Sequence, residues 1–352
     1  MGLMRLLLAL SVVATHSGPI LGMKLLPGDL AVEVFFAISG FYMSLILTDK
    51  YRDSGTFYVN RFLRLYPVYF ITVVGTWAWF FLTWQHLGRP PTNSWMDANQ
   101  HMSALPISLI AASNWTMIGL DIPSLFHFSE GRGFLPFHYL FPADAPDGAK
   151  WAGEFRTIGQ AWSIGVEIWF YILAPFLVPL RMRWIVVVAM ASLGLRLMMY
   201  QAGIATYFFF PTQLCLFAFG ILLHRIYAAK MIDRIPRRVA MGIAALVFAS
   251  VLLFEHLPET LGNTLIYAAA IPIIPVLFAL TRNSKLDAAL GNLSYPIYIV
   301  HVLVISILWS TVRISDGTSI ALATVAVSIL LNVLVERPNE VGGKASQRAS
   351  FT

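Results

Sequence analysis

Charge is scarce in this sequence: only 12% of its 352 residues are Asp, Glu, Lys or Arg. Soluble domains carry about a quarter, so an ordinary water-facing surface is excluded. There is one cysteine, Cys215, in an apolar run. A disulfide framework within the chain and a paired-thiol metal site are therefore ruled out, and no metal is expected. No G-x-S-x-G turn presents a serine nucleophile, and no thiol stands ready as an acyl relay. No internal repeat of the inverted-transporter kind is evident. The first apolar stretch lacks an Ala-x-Ala-like cleavage site and a second follows almost at once, so it is expected to be a retained helix, not a signal peptide.

What the chain has is apolar side chains, at 58% of residues, and a mean hydropathy of +0.70. A hydrocarbon core of about 30 Å is crossed by about 20 helical residues, and in lipid only helices or closed barrels satisfy the backbone. The expected fold is all-α, a polytopic membrane bundle. Ten spans are placed at 3–21, 29–48, 67–86, 159–180, 184–201, 205–224, 239–256, 262–281, 293–312 and 317–335. An eleventh stretch, 102–120, carries Pro106, Asn114 and Trp115.

The distribution of basic residues arbitrates. If 102–120 does not cross, Lys50, Arg52, Arg61, Arg64, Arg181, Arg183, Arg225, Lys230, Arg234, Arg237, Arg238, Arg282, Lys285, Arg337, Lys344 and Arg348 fall on one, cytoplasmic, side. If it crosses, they split. The stretch is therefore expected to be re-entrant or interfacial, with both termini cytoplasmic and one long outer loop at about 87–158 that is folded. The net charge of +6 belongs to these inner loops and calls for no nucleic acid.

Ionisable groups in membrane helices are costly and point to function. Five stand out: His16, Glu33, Glu167, Arg196 and His301. Arg5 and His16 are eleven residues apart, nearly three turns, and so share a face about 16 Å apart. Ser163, Glu167 and Tyr171 recur every fourth residue, and Ser294, Tyr298 and His301 share another face. Arg196 is placed to pair with Glu167 or Glu33. Arg61 and Arg64, just ahead of Pro67 at an expected helix start, form two forked donors suited to phosphate. For each of these an interhelical packing network or a topology signal is the competing explanation.

In order along the chain stand Arg5-x10-His16, GDLAVEVFFAISGF, RFLRLYPVY, WSIGVE, LSYPIYIVH and a final ERP. Together they resemble acyltransferase family 3, bacterial membrane acyltransferases that decorate surface glycans. The resemblance implies a membrane-bound O-acyltransferase, multi-pass in the bacterial cytoplasmic membrane, over residues 1–340 with a short tail at 341–352. It implies transfer of an acyl group, acetyl foremost, from cytoplasmic acyl-CoA to a sugar hydroxyl of a glycan or lipid-linked sugar on the far side. Acyl-CoA is then a substrate, with no tightly bound cofactor. Membrane lipid is the other partner, and a homo-oligomer is left open.

By motif, His16 is the catalytic residue, with Glu33 and Glu167 beside it in that role. The donor side takes Arg5, Arg61, Arg64, Tyr298, His301 and Glu336. A neutral imidazole with pKa near 6.5 can take the proton of an attacking hydroxyl. For the acceptor, the outer loop offers Trp95, Trp115 and Trp151 as platforms beside Asp121, His127 and His138, with Arg196 added from the bundle. The rival class is a proton-coupled transporter or flippase relaying protons through His16, Glu167 and His301. It leaves the Arg pair and the missing repeat unexplained.

Overall fold

A computed structural model of the chain describes residues 1–50, 53–87, 104–129, 133–136, 150–204 and 206–336. The helices are α1 (Gly2–Ser17), α2 (Gly28–Asp49), α3 (Ser54–Leu87), α4 (Ala104–Thr116), α5 (Trp162–Leu177), α6 (Met182–Gln201), α7 (Phe210–Ala228), α8 (Arg237–Leu252), α9 (Glu259–Leu265), α10 (Ile274–Thr281), α11 (Lys285–Thr311) and α12 (Gly317–Leu331). Each of the ten expected spans falls on helical structure. Among the described residues seven helices are long and apolar enough to cross a membrane: α2, α3, α5, α6, α7, α11 and α12. An eighth forms if α9, continued by the wide turn Ile266–Ala270, and α10 are one span broken by 53°. The two others, α1 and α8, have 16 residues each, about 24 Å of helix and thus short of the hydrocarbon core. Large apolar side chains such as Met198, Leu246, Leu322 and Leu334 stand about 70% exposed, which suits lipid and not water.

Two expectations are corrected, and one small element is added to the expected helical bundle: Phe126–Ser129, Gly133–Pro136 and Lys150–Trp151 make a small antiparallel sheet, β1 to β3, in the order β2-β1-β3. Phe126 and Phe128 alternate with His127 and Ser129, the period of a strand. Pro67 does not start a helix but lies inside α3, which begins at Ser54. In an apolar run a continuous helix satisfies the remaining backbone groups, and the proline costs only the one hydrogen bond that it cannot donate. Finally, α11 begins at Lys285 and not near 293, because Ser284 caps it, its hydroxyl accepting from the Asp287 amide at 3.2 Å.

The chain forms two compact units, residues 1–68, 174–186 and 216–352 in one and 69–173 with 187–215 in the other. In the first, α1 and α11 run parallel. A Cβ on Gly2 would lie 1.6 Å from the Asp287 carbonyl oxygen, and one on Gly291 would lie 2.9 Å from Gly2 Cα, while fourteen residues further along both helices His16 meets His301. Only glycine allows this approach. Around the crossing Ala9, Val13, Ala14, Ile297, Ile320 and Ala321 form a shared core. The helices α2 and α7 are also parallel: Phe36 stacks on Phe217 at one level, and Ser44 bonds His224 at 2.8 Å further on. Between these levels a Cβ on Gly40 would lie 2.1 Å from the Phe217 carbonyl oxygen.

In the second unit Asn114, at the end of α4, is a buried hub. Its amide donates to the carbonyls of Ile110 at 2.9 Å and Phe155 at 3.1 Å, its Oδ1 accepts from Thr157 N, and its own carbonyl accepts from Tyr69. This ties α4 to the loop before α5, with Ile110, Ala152 and Phe155 as the local core.

Candidate active site

His16 sits in the last turn of α1, where the following segment is held tightly. Gly18, Leu21, Gly22 and Leu25 all have φ between 51° and 93°, strained for the two leucines. The segment is secured by the reciprocal Ile20–Met23 backbone bonds, by Thr318 Oγ1 accepting from Leu21 N at 2.9 Å, and by Gly317, whose Cβ would lie 2.2 Å from the Gly18 carbonyl oxygen.

The imidazole of His16 has two neighbours. Its Nδ1 lies 2.8 Å from the Val12 carbonyl and 3.3 Å from Nε2 of His301, and the rings are 5.0 Å apart. His301 is fully buried, with its Nδ1 2.7 Å from the Tyr298 carbonyl. A carbonyl only accepts, so Nδ1 of each neutral ring carries the hydrogen and each Nε2 carries a lone pair. The His301 lone pair faces the Nδ1–H of His16. The Nε2 of His16 makes no hydrogen bond among the described residues and points a lone pair outward, as a general base requires.

At the start of α1, Arg5 lies over the Tyr42 ring at 5.9 Å, and the Tyr42 hydroxyl also feels the charges of Asp287 and Arg64. Asp287 accepts from the amides of Gly2 at 2.7 Å and Leu3 at 3.0 Å, so it caps α1 from α11. Arg61 and Arg64 lie one turn apart inside α3. Among the described residues the buried Nε of Arg61 has no hydrogen-bond partner, which leaves a donor able to take an acceptor. Tyr295 of α11 donates to the Leu65 carbonyl at 2.7 Å and so fixes the turn that bears Arg64. Neither Asp287 nor Tyr295 was expected. The Ser284-x-x-Asp287 capping spacing was the available signal for the first, and Tyr295 had none.

The other expected residues are distributed as follows. In the first unit, Glu33 is buried and accepts from the Tyr267 hydroxyl. Ser294 turns back to the Gly291 carbonyl, and Tyr298 offers its carbonyl to His301 with its ring 6.1 Å away. His301, expected on the donor side, thus stands against His16. Glu336 accepts from the Asn332 amide beyond α12.

In the second unit, Glu167 accepts from Tyr171, Ser163 bonds the Gln160 carbonyl at 3.3 Å, and Arg196 donates to Gln213 at 3.3 Å. Asp121 is 3% exposed and accepts from Trp169 Nε1 at 3.1 Å, and burial pushes its carboxyl up to about 6. His127 is buried in β1 opposite Leu135 and Trp151. Trp151 donates to the Ser124 carbonyl at 3.0 Å and stacks near Phe208 and Arg156. Trp115 is exposed, 6.1 Å from Phe70. Trp95, His138 and the expected tail at 341–352 lie outside the described residues, as does much of the outer loop. No cluster of metal-ligating side chains occurs among the described residues.

The chain is thus largely helical and of membrane-spanning composition, with His16 at one end of its first helix and Arg5 at the other. The family defined by the acyltransferase domain matches residues 1–337, and the chain belongs to it, acyltransferase family 3. Proteins of Staphylococcus aureus strains COL and N315, each named "Putative O-acetyltransferase", are 23% identical over 321 residues, 80% of this chain and 47% of theirs. Nodulation protein 10 of Rhizobium leguminosarum bv. viciae is 23% identical over 174 residues, 46% of this chain and 38% of its own length. The chain thus spans about half the length of the S. aureus relatives. No solved structure matches it.

Proposed function

We propose that the chain transfers an acyl group, acetyl foremost, from acyl-CoA held at the basic end of α1 to a sugar hydroxyl arriving at the His16 end. The observation that carries this is the bare Nε2 of His16, its other nitrogen already committed, on the same helix as Arg5. The two residues are eleven apart, about 16 Å, within reach of the pantetheine arm of a CoA whose phosphates rest on Arg5, Arg61 and Arg64. In the step itself Nε2 of His16 takes the hydroxyl proton as the sugar oxygen bonds to the thioester carbon. Collapse then breaks the C–S bond, and the leaving thiolate takes the proton back from His16. Glu33 and Glu167 are assigned to the catalytic side, Tyr298 and Glu336 to the donor side, and Trp115, Trp151, Asp121, His127 and Arg196 to the acceptor.

The membrane assignment is a bacterial cytoplasmic membrane with ten crossings and both termini inside. Parallel helices support it, because two parallel spans need an odd number of crossings between them. Between α2 and α7, the helices α3, α5 and α6 supply three, and a crossing by α4 would make four. The same parity holds between α1 and α11. With α4 re-entrant, the basic loops also collect on one side.

The deciding experiment is thiol release from acetyl-CoA by the purified protein, with a bacterial exopolysaccharide hydrolysate as acceptor pool. Release with acetyl appearing on sugar is expected, and His16→Ala should lower the rate about a hundred- to ten-thousandfold, the usual worth of a general base. A wild-type protein that binds acetyl-CoA yet releases no thiol refutes the assignment.

A further inference from the structure

We infer that His301 is a positioning residue for His16: its Nε2 accepts the Nδ1–H of His16, so that the reactive lone pair is the one on Nε2 of His16. The inference rests on His16 acting as the base and names what aims it.

The geometry runs in one direction. The Tyr298 carbonyl takes the Nδ1–H of His301 at 2.7 Å, which leaves Nε2 of His301 as an acceptor, 3.3 Å from Nδ1 of His16. The Val12 carbonyl, 2.8 Å from the same Nδ1, lies on α1 itself and holds the ring only from its own helix. His301 holds it from α11, a second direction that fixes rotation about the bond between Cβ and the ring. The pair is set in a rigid frame. The close approach of Gly2 to the Asp287 carbonyl, which Gly291 also permits, fixes the register of the two helices, and fourteen residues on from Gly2 and Asp287 the same register brings the two rings to 5.0 Å.

The same contact gains strength during the reaction. When Nε2 of His16 takes the hydroxyl proton, the ring becomes an imidazolium and its Nδ1–H a charge-assisted donor. Such bonds are shorter and about twice as strong as neutral ones. The 3.3 Å separation of the resting pair leaves room for that shortening. The Nδ1 hydrogen never leaves His16, so the proton balance of the step is unchanged. His301 thus takes the part that a carboxylate plays behind the histidine of a hydrolase triad, performed by a neutral acceptor.

The test compares His301→Gln with His301→Met, side chains of similar size of which only glutamine can accept a hydrogen bond. Both are measured in the full-length protein with acetyl-CoA and the same acceptor pool. The methionine variant should lose about 10- to 100-fold in kcat, the usual cost of removing such a supporting partner, with KM for acetyl-CoA unchanged. The glutamine variant should recover most of that loss. Ring 15N spectra of the wild-type protein, with His16 assigned by difference from His16→Asn, should show Nδ1 protonated and Nε2 bare at neutral pH. Equal kcat in the glutamine and methionine variants, or a protonated Nε2 on neutral His16, overturns the role of His301 while leaving acyl transfer standing. Absence of thiol release in the wild type would instead sink the acyl-transfer assignment, and this inference with it.

Discussion

Asp121 should tune the stability of the second compact unit with pH, and in an uncommon direction. It lies two residues beyond the Gly119 turn and is packed so closely on α5 that a Cβ on Gly165 would come within 2.7 Å of its Oδ1. Burial raises its carboxyl from 3.8 to about 6, although its backbone bonds, Trp169 and the Arg156 charge all favour the ionised form. The folded state therefore binds the proton more tightly than the unfolded one. The resulting stability is complete below about pH 4 and is lost as pH rises through 6. A shift of about two units corresponds to about 3 kcal/mol lost by pH 7. Asp121→Asn keeps an oxygen to accept from Trp169 and cannot ionise. Its NH2 group adds a burial cost of about 1–3 kcal/mol, but one independent of pH. The difference in stability between variant and wild type should thus move in the variant's favour between pH 4 and 7. Thermal unfolding in detergent, followed by tryptophan fluorescence at several pH values, measures it. A difference that is flat across that range refutes burial as the dominant influence on Asp121.

Three further outcomes follow from the geometry. Arg64→Ala should weaken acetyl-CoA binding, measured by calorimetry, and Arg64→Lys should restore it only in part, because an ammonium lacks the fork; normal affinity in both would reduce Arg64 to a topology signal. Gly40→Ala should cost about 1–3 kcal/mol, because the atom its Cβ meets at 2.1 Å is backbone and cannot step aside; Gly242→Ala, whose Cβ would have open space, is the control and should melt no lower than wild type. In a Cys215→Ser background, single cysteines at Gln85 and Thr116, the exposed far ends of α3 and α4, should both react with an impermeant maleimide from the outer face. Reaction at only one of them would mean that α4 crosses.

What could be read in the sequence was whatever a single helix announces by itself. An apolar run has a length, so ten runs became ten stretches of helix, and the Arg5 to His16 spacing already implied a shared face. Errors arose where a local signal was outvoted. Pro67 looked like a helix start because proline is favoured there, yet α3 begins at Ser54 and runs through it, losing only the hydrogen bond that proline cannot donate. Lys285 and Asp287 made the head of α11 look like a loop, although Asp287 is charged for a reason: it caps α1. The sheet was missed because its strands are two to four residues long, too short for a period to stand out.

The pairing of His16 with His301 lay beyond any local signal, since 285 residues separate the two. It is nevertheless encoded, in residues that carry no chemistry. Gly2 and Gly291 are small enough to let two backbones touch, and once they touch, the common rise of 1.5 Å per residue carries every later level of the two helices into register. A histidine fourteen positions past the midpoint of Asp287 and Gly291 would fall near 303, and His301 lies within a turn of it. The base and its support are therefore set by one close approach about 20 Å away, and a side chain added at Gly2 or Gly291 should disturb His16 without touching it.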